Sequence, residues 1–118
     1  MTSLVASLST GKGTWGHVAR LISDEKWESI FLITNEFGRE NFKVDGKELN
    51  FILINDRIGL VELREQIIAN LKDKLHGDVA INFISGSGKE HMAILSALLK
   101  IGVGLRLIAL TKEGIEEL

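Results

Sequence analysis

The stretch Val79-Ala80-Ile81-Asn82-Phe83-Ile84-Ser85-Gly86-Ser87-Gly88-Lys89-Glu90-His91 decides the fold. It reads as an apolar strand, a tight loop of serines and glycines, a lysine, and then the start of a helix. Small residues in such a loop let backbone N–H groups crowd around a ligand. The helix that follows contributes the positive end of its dipole, and Lys89 contributes a full charge. That combination suits an anion, most often a phosphate, although glycines at this place also serve a plain turn from strand to helix.

Working outward, a helix runs over about 90–101 and ends at Gly102, followed by a strand over 105–110 and a short charged tail over 111–118. On the other side, Leu60, Leu63, Ile67, Leu71 and Leu75 recur every three or four residues, which predicts a helix over about 58–75 stopped by Gly77. Earlier still come a strand over 4–8, a Gly-rich loop over 9–14, a helix over about 15–23 and a strand over 30–34. The stretch 35–41 is polar and irregular, with at most a helical turn. Val44-Asp45-Gly46-Lys47 carries the signal of a tight hairpin and leads into a third long strand over 49–54.

Strands alternating with helices predict an α/β protein: a Rossmann-like three-layer sandwich with a mostly parallel five- or six-stranded sheet. If the first five strands lie in the order 3-2-1-4-5, the winding reverses between the first and the fourth. Ligands in such sheets bind at the carboxyl ends of the strands flanking that reversal. Those two strands are the ones followed here by Gly-rich, lysine-bearing loops, so two lines of reasoning meet at one crevice.

The 118 residues are expected to form one domain, 1–118, large enough to bury a core unaided. Apolar residues make up 45% and charged residues 25%, a balance that argues against disorder. The apolar runs are strand-sized, so no membrane span and no membrane partner are expected. A start without basic residues or a cleavage site argues against a signal peptide. The chain has no cysteine, which removes disulfide and thiol chemistry, and a cytoplasmic location is the expectation. A net charge of −2 argues against binding duplex nucleic acid. His17, His76 and His91 have no ligand partners at metal spacing, so no metal and no tightly held cofactor are expected. His17 and His91 each lie just inside a helix that follows a Gly-rich loop, and either can face the crevice or serve as an ordinary helix residue.

Gly11-Lys12-Gly13-Thr14-Trp15-Gly16 matches G-x-G-x-x-G after the first strand, and Glu36 follows the last glycine by about 20 residues, where a ribose-binding carboxylate would stand. A small NAD(P)- or flavin-dinucleotide-binding domain is therefore an alternative reading. Ser87-Gly88-Lys89 fails as a nucleoside-triphosphate loop, because Phe83 stands where its first glycine belongs and Glu90 replaces the magnesium-holding hydroxyl. Trp15 is placed either to stack on a base or to pack the first helix on the sheet. Asn35 and Arg57 follow the second and third strands and so sit at carboxyl ends. The helix Met92-Ala93-Ile94-Leu95-Ser96-Ala97-Leu98-Leu99-Lys100-Ile101 is apolar nearly all round, and a sheet covers only one side of it. The simplest cover for the other side is a second copy, so a homodimer is expected.

At its two Gly-rich loops the sequence resembles the CRISPR-associated Rossmann fold (CARF) domains, sensors of cyclic oligoadenylates in antiviral defence. Their fourth strand commonly ends in a Ser/Thr, three small residues and a Lys or Arg, as Ser85-Gly86-Ser87-Gly88-Lys89 does here. Their first strand often leads into a Gly-rich turn with an aromatic, which Thr10-Gly11-Lys12-Gly13-Thr14-Trp15 looks like. Phe83 departs from the Asp or Asn that the family often places two residues before the Ser/Thr. The resemblance implies a homodimer binding cyclic tetra- or hexa-adenylate over its two-fold axis. Ser85, Gly86, Ser87, Gly88 and Lys89 would hold phosphates and ribose hydroxyls, and Ser9, Thr10, Gly11, Lys12, Gly13, Thr14 and Trp15 would line the adenine pocket; His91, able to face the crevice, is a further ligand-binding candidate. Some such domains open their ligand without a metal, as ring nucleases; Lys89, Ser9 and Ser85 are the catalytic candidates for that activity.

Overall fold

A computed structural model describes residues 2–118. Leu4, Val5 and Ala6 of β1 (Ser3–Ser7) and Ile30 to Ile33 of β2 (Ile30–Thr34) are apolar without alternation, and every residue of both strands is buried. That pattern belongs to central strands covered by helices on both faces. With β3 (Asn50–Leu53), β4 (Asp78–Asn82), β5 (Gly104–Thr111) and β6 (Gly114–Glu117) they form one six-stranded sheet in the order β3-β2-β1-β4-β5-β6. The first five strands run parallel, and β6 returns antiparallel to β5. The fold is the Rossmann-like α/β sandwich expected from the sequence.

Alternate residues serve opposite layers. Val5, Phe31, Ile33, Val79 and Ile81 face α3 (Leu60–Leu71) and α4 (Gly88–Ile101), which bury Leu63, Ile67, Leu71, Ala93, Ile94, Ala97 and Leu98 against them. Leu4, Ala6, Ile30, Leu32 and Ala80 face α1 (Trp15–Asp24), whose Val18, Leu21 and Ile22 close the other layer. Each fully buried leucine or isoleucine contributes about 1.5–3 kcal/mol of transfer free energy. The two layers thus lock both sides of the same strands.

Four local expectations change. The polar stretch after β2 folds as α2 (Glu36–Asn41), because Asn35 caps it: its Oδ1 accepts the Gly38 N–H at 3.0 Å. Gly38 sits so close to β2 that a Cβ there would lie 2.0 Å from Thr34 Oγ1. The Asp45-Gly46 turn joins α2 to β3 with no strand before it, so it makes no hairpin. Helix α3 ends at Leu71, and Leu75 still reaches the core from the turn beyond. The charged tail is β6: Thr111 Oγ1 accepts the Glu113 N–H and donates to the Gly114 carbonyl, and Gly114 turns the chain at φ 104°. Ile115 then packs on the α1 layer.

From β1 the strands proceed one way through β2 to β3 and the other way through β4 to β5. The winding reverses between β1 and β4, which places a crevice at their carboxyl ends.

Candidate functional site

The exits of β1 and β4 are tied together by serines. Ser7 Oγ donates to the Ser85 carbonyl, the Ser9 N–H donates to Ser85 Oγ at 2.8 Å, and Ser85 Oγ donates to Ser9 Oγ at 3.1 Å. Ser9 Oγ in turn donates to the Gly11 carbonyl at 2.7 Å. A second clasp comes from His91, whose Nε2–H donates to the Ser85 carbonyl at 2.7 Å while its ring stacks on Phe83 at 4.9 Å.

Ser87 ends the loop as the N-cap of α4. Its Oγ accepts the Glu90 N–H at 3.3 Å, and Glu90 Oε1 accepts the Ser87 N–H at 2.8 Å, a reciprocal capping box. The amides of Gly86, Gly88 and Lys89 have no acceptor within the described chain. For the latter two this is the normal state of a helix first turn, where N–H groups await a ligand or water. Gly86 turns the chain at φ 101°, a conformation that other residues adopt only under strain.

These loops wall a cleft of about 220 Å³. Ser9 and Thr10 line it from β1, Thr34 and Asn35 from β2, Asp56 from β3, and Gly86, Ser87 and Glu90 from the β4–α4 loop. Its surface therefore offers hydroxyls, backbone amides and two carboxylates.

Of the residues singled out in the sequence, Ser9, Thr10, Gly86 and Ser87 line this cleft, and Gly88 and Lys89 offer their amides beside it. Gly11 leads into the short 3-10 turn of Lys12, Gly13 and Thr14, beyond the cleft wall. Four side chains lie elsewhere than expected, the first being His91, which is taken up by the Ser85 carbonyl and Phe83 and does not line the cleft. The Lys89 ammonium donates to the carbonyls of Asp56, at 2.8 Å, and of Ile58, so it braces the loop between β3 and α3 and does not project into the cleft. Ser85 is only 1% exposed, behind Ser9, and shapes the wall without presenting its hydroxyl to a ligand. Trp15 is 8% exposed; its indole N–H donates to the Ser9 carbonyl at 2.9 Å and its ring meets the edge of Phe42. It packs α1 and cannot sandwich a base.

His17 is also removed from the crevice. Its Nε2 accepts the Leu110 N–H at 3.2 Å and faces Asn82 Nδ2 at 3.3 Å. Asn82 Nδ2 donates to the Ile108 carbonyl at 2.8 Å, and Oδ1 accepts the Ile84 N–H at 3.2 Å. Burial pulls the His17 pKa below the ordinary histidine value, consistent with a neutral ring that accepts. Arg57 is exposed and outside the cleft wall.

Sequence reasoning missed Glu90, Asp56 and Thr34. Glu90 carried a signal, since Ser87-x-x-Glu90 is a capping-box spacing and such a carboxylate sits at the mouth of the helix.

The G-x-G-x-x-G match does not behave as a dinucleotide fingerprint. None of Gly11, Gly13 and Gly16 has a positive φ, and a Cβ at Gly13 or Gly16 would meet no atom within 4 Å. The tight turn and close helix–strand approach that require those glycines are absent here. Glu36 lies in the first turn of α2, where it pairs with Arg39. Among the described residues no group of three metal-ligating side chains converges, and no helix is long and apolar enough to cross a membrane.

No protein-family model and no curated protein sequence matches the chain.

Proposed function

We propose that the chain is a nucleotide-binding domain that takes a cyclic oligoadenylate, of four or six units, across the two-fold axis of a homodimer. The observation that carries the reading is the crevice itself. At the reversal of strand order, the unbonded amides of Gly86, Gly88 and Lys89 stand beside a cleft walled by Ser9, Thr10 and Ser87. Amides at a helix start suit phosphate oxygens, and hydroxyls and carboxylates suit ribose.

The dimer rests on a second observation. Helix α4 buries Ala93, Ile94, Ala97 and Leu98 and leaves Met92 and Leu99 each 62% exposed, with Leu95 between them. Leu107 of β5 is exposed on the sheet face shared with Leu105, the α3/α4 side. An apolar helix face and an uncovered strand beside the β4–α4 loop suit a self-complementary interface, and two-fold pairing there would bring two such loops together.

In the enzyme form of this proposal, a ligand 2′-hydroxyl oxygen bonds to the adjacent phosphorus and the bond to the 5′-oxygen breaks. The 2′ proton is lost and the 5′-oxygen gains one, leaving a 2′,3′-cyclic phosphate and a 5′-hydroxyl. Such a step needs alignment and charge stabilisation, which the loop amides and Ser9 are placed to supply. The sequence-derived candidates Lys89 and Ser85 would act on it only by holding the loops.

The test is incubation with labelled cyclic tetra- and hexa-adenylate in EDTA, followed by a native gel and chromatography of the nucleotide. A shifted complex with intact ligand indicates a sensor, and linear product a metal-independent ring nuclease. The absence of both a complex and a product, with both rings, would overturn the proposal. Light scattering of Met92→Glu/Leu99→Glu against the parent tests the dimer: expected is a halved mass, and an unchanged mass refutes the α4 interface.

A further inference from the structure

We propose that Phe37, with Lys12 beside it, is a base-stacking platform just outside the cleft wall, taking a base whose phosphate and ribose occupy the cleft; the inference rests on the nucleotide reading above and names a residue for it. With Trp15 buried, the task expected of an aromatic side chain is left unassigned. Phe37 is 41% exposed, and it alone of the five phenylalanines is exposed. It stands two residues after Asn35, which lines the cleft, and packs on Trp15 outside that lining.

The ring is also held. Its centroid lies 6.0 Å from that of Trp15 with the planes tilted by 46°. Trp15 is fixed in turn by its bond to the Ser9 carbonyl and by Phe42, 5.5 Å away and nearly perpendicular. An exposed aromatic face backed by a locked aromatic pair is preorganised, so stacking on it costs little side-chain entropy.

Lys12 supplies the second half. Its Nζ lies 5.7 Å from the Phe37 centroid and 5.8 Å from that of Trp15. Unlike Lys89, it donates to no oxygen among the described residues. A base arriving on Phe37 takes the place of the ammonium over the ring, and the ammonium swings to the phosphate that the base brings with it. One cation–π contact is exchanged for a stacked base and an ion pair. Every base has a π face, so the platform favours nucleotides as a class, and the larger purines most.

The experiment uses Trp27→Phe protein, in which Trp15 is the sole tryptophan and its emission reports on the platform directly. This protein is titrated with cyclic tetra-adenylate and cyclic hexa-adenylate, with and without Phe37→Ala, Phe37→Leu and Phe37→Tyr. Expected are a change in Trp15 emission on binding, a roughly ten- to hundredfold weaker affinity for Phe37→Ala, recovery in Phe37→Tyr, and no recovery in Phe37→Leu. Lys12→Met should weaken binding and flatten its dependence on salt. Binding by the parent with an unchanged affinity in Phe37→Ala, or full recovery by leucine, overturns the platform alone. No binding of either ring by the parent overturns the nucleotide reading and the platform with it.

Discussion

Gly86→Ala tests the shape of the β4–α4 loop, on which the site depends. At φ 101° an L-residue pays a backbone penalty of about 1–2 kcal/mol. The added methyl would lie 2.9 Å from Glu90 Oε1, 3.0 Å from Ser7 Oγ and 3.1 Å from Ser7 Cβ. Ser7 is the last residue of a central strand and cannot retreat. The Glu90 carboxylate can, but then the Ser87 N–H loses its acceptor, a further loss of about 0.5–1.5 kcal/mol. The sum is roughly 1.5–3.5 kcal/mol, which lowers the melting temperature of a domain this size by on the order of 10 °C. Gly88→Ala is the internal control: its φ is not positive and its Cβ would meet nothing within 4 Å, so it should melt at or slightly above the parent. Both are read by calorimetry at one fixed protein concentration, because dimerisation would make the midpoint concentration-dependent. If Gly86→Ala melts within about 2 °C of the parent, or Gly88→Ala falls as far as Gly86→Ala, the loop geometry argued here is wrong.

Two further outcomes follow from side chains whose positions differ from expectation. Lys89→Met should speed amide hydrogen exchange in residues 55–59 and, on the proposed function, weaken oligoadenylate binding while leaving its salt dependence unchanged, because the ammonium holds two carbonyls; a flattened salt slope would put that ammonium on a phosphate after all. The neutral His17 stabilises fully above the ordinary histidine pKa, and the contribution is lost as pH falls below that value towards the lowered folded one, since the unfolded chain then binds the extra proton. His17→Gln should therefore flatten the melting temperature between about pH 7 and pH 5, and two parallel curves would exclude the Leu110–His17–Asn82 contact as the cause.

The fold was legible because its signals are redundant: unbroken apolar runs for β1 and β2, a 3.6-residue repeat for α3, and glycines at the stops. β6 was missed because Thr111 to Leu118 alternates charge with few apolar residues, and a four-residue edge strand needs little core. The crevice was legible from the strand order together with the Gly-rich loops that follow β1 and β4. The side-chain roles were not, because a rotamer decides them. Lys89 is long enough either to enter the cleft or to bridge to the Asp56 and Ile58 carbonyls, and nothing in the sequence says that the β3–α3 loop will present two oxygens within its reach. Trp15 was ambiguous for a similar reason: whether a tryptophan at the start of α1 faces in or out turns on Phe42, which arrives from a connection 27 residues later.

The charges around the cleft narrow what it can hold. Its lining carries Asp56 and Glu90 and no cation, while Lys89 is turned onto the loop carbonyls. A bare inorganic phosphate would gain the amides of Gly86, Gly88 and Lys89 but would stand against two carboxylates, and like charges a few ångströms apart cost on the order of 1–4 kcal/mol near a surface. A nucleotide changes the balance, because its ribose hydroxyls donate to carboxylates and its phosphate accepts from amides. The Glu90 carboxylate is already partly compensated by the Ser87 N–H and by its place in the first turn of α4, so its repulsion of a neighbouring anion is blunted. On the nucleotide reading, the same two side chains that disfavour phosphate alone select for phosphate carried by a sugar. The site should therefore discriminate cyclic oligoadenylate from phosphate or pyrophosphate at equal ionic strength. Glu90→Gln, which retains an oxygen to accept the Ser87 N–H, should relax that discrimination without unfolding the loop. Competition of a labelled oligoadenylate by millimolar phosphate measures it, and equal competition in parent and variant would show that the carboxylate plays no part in the choice.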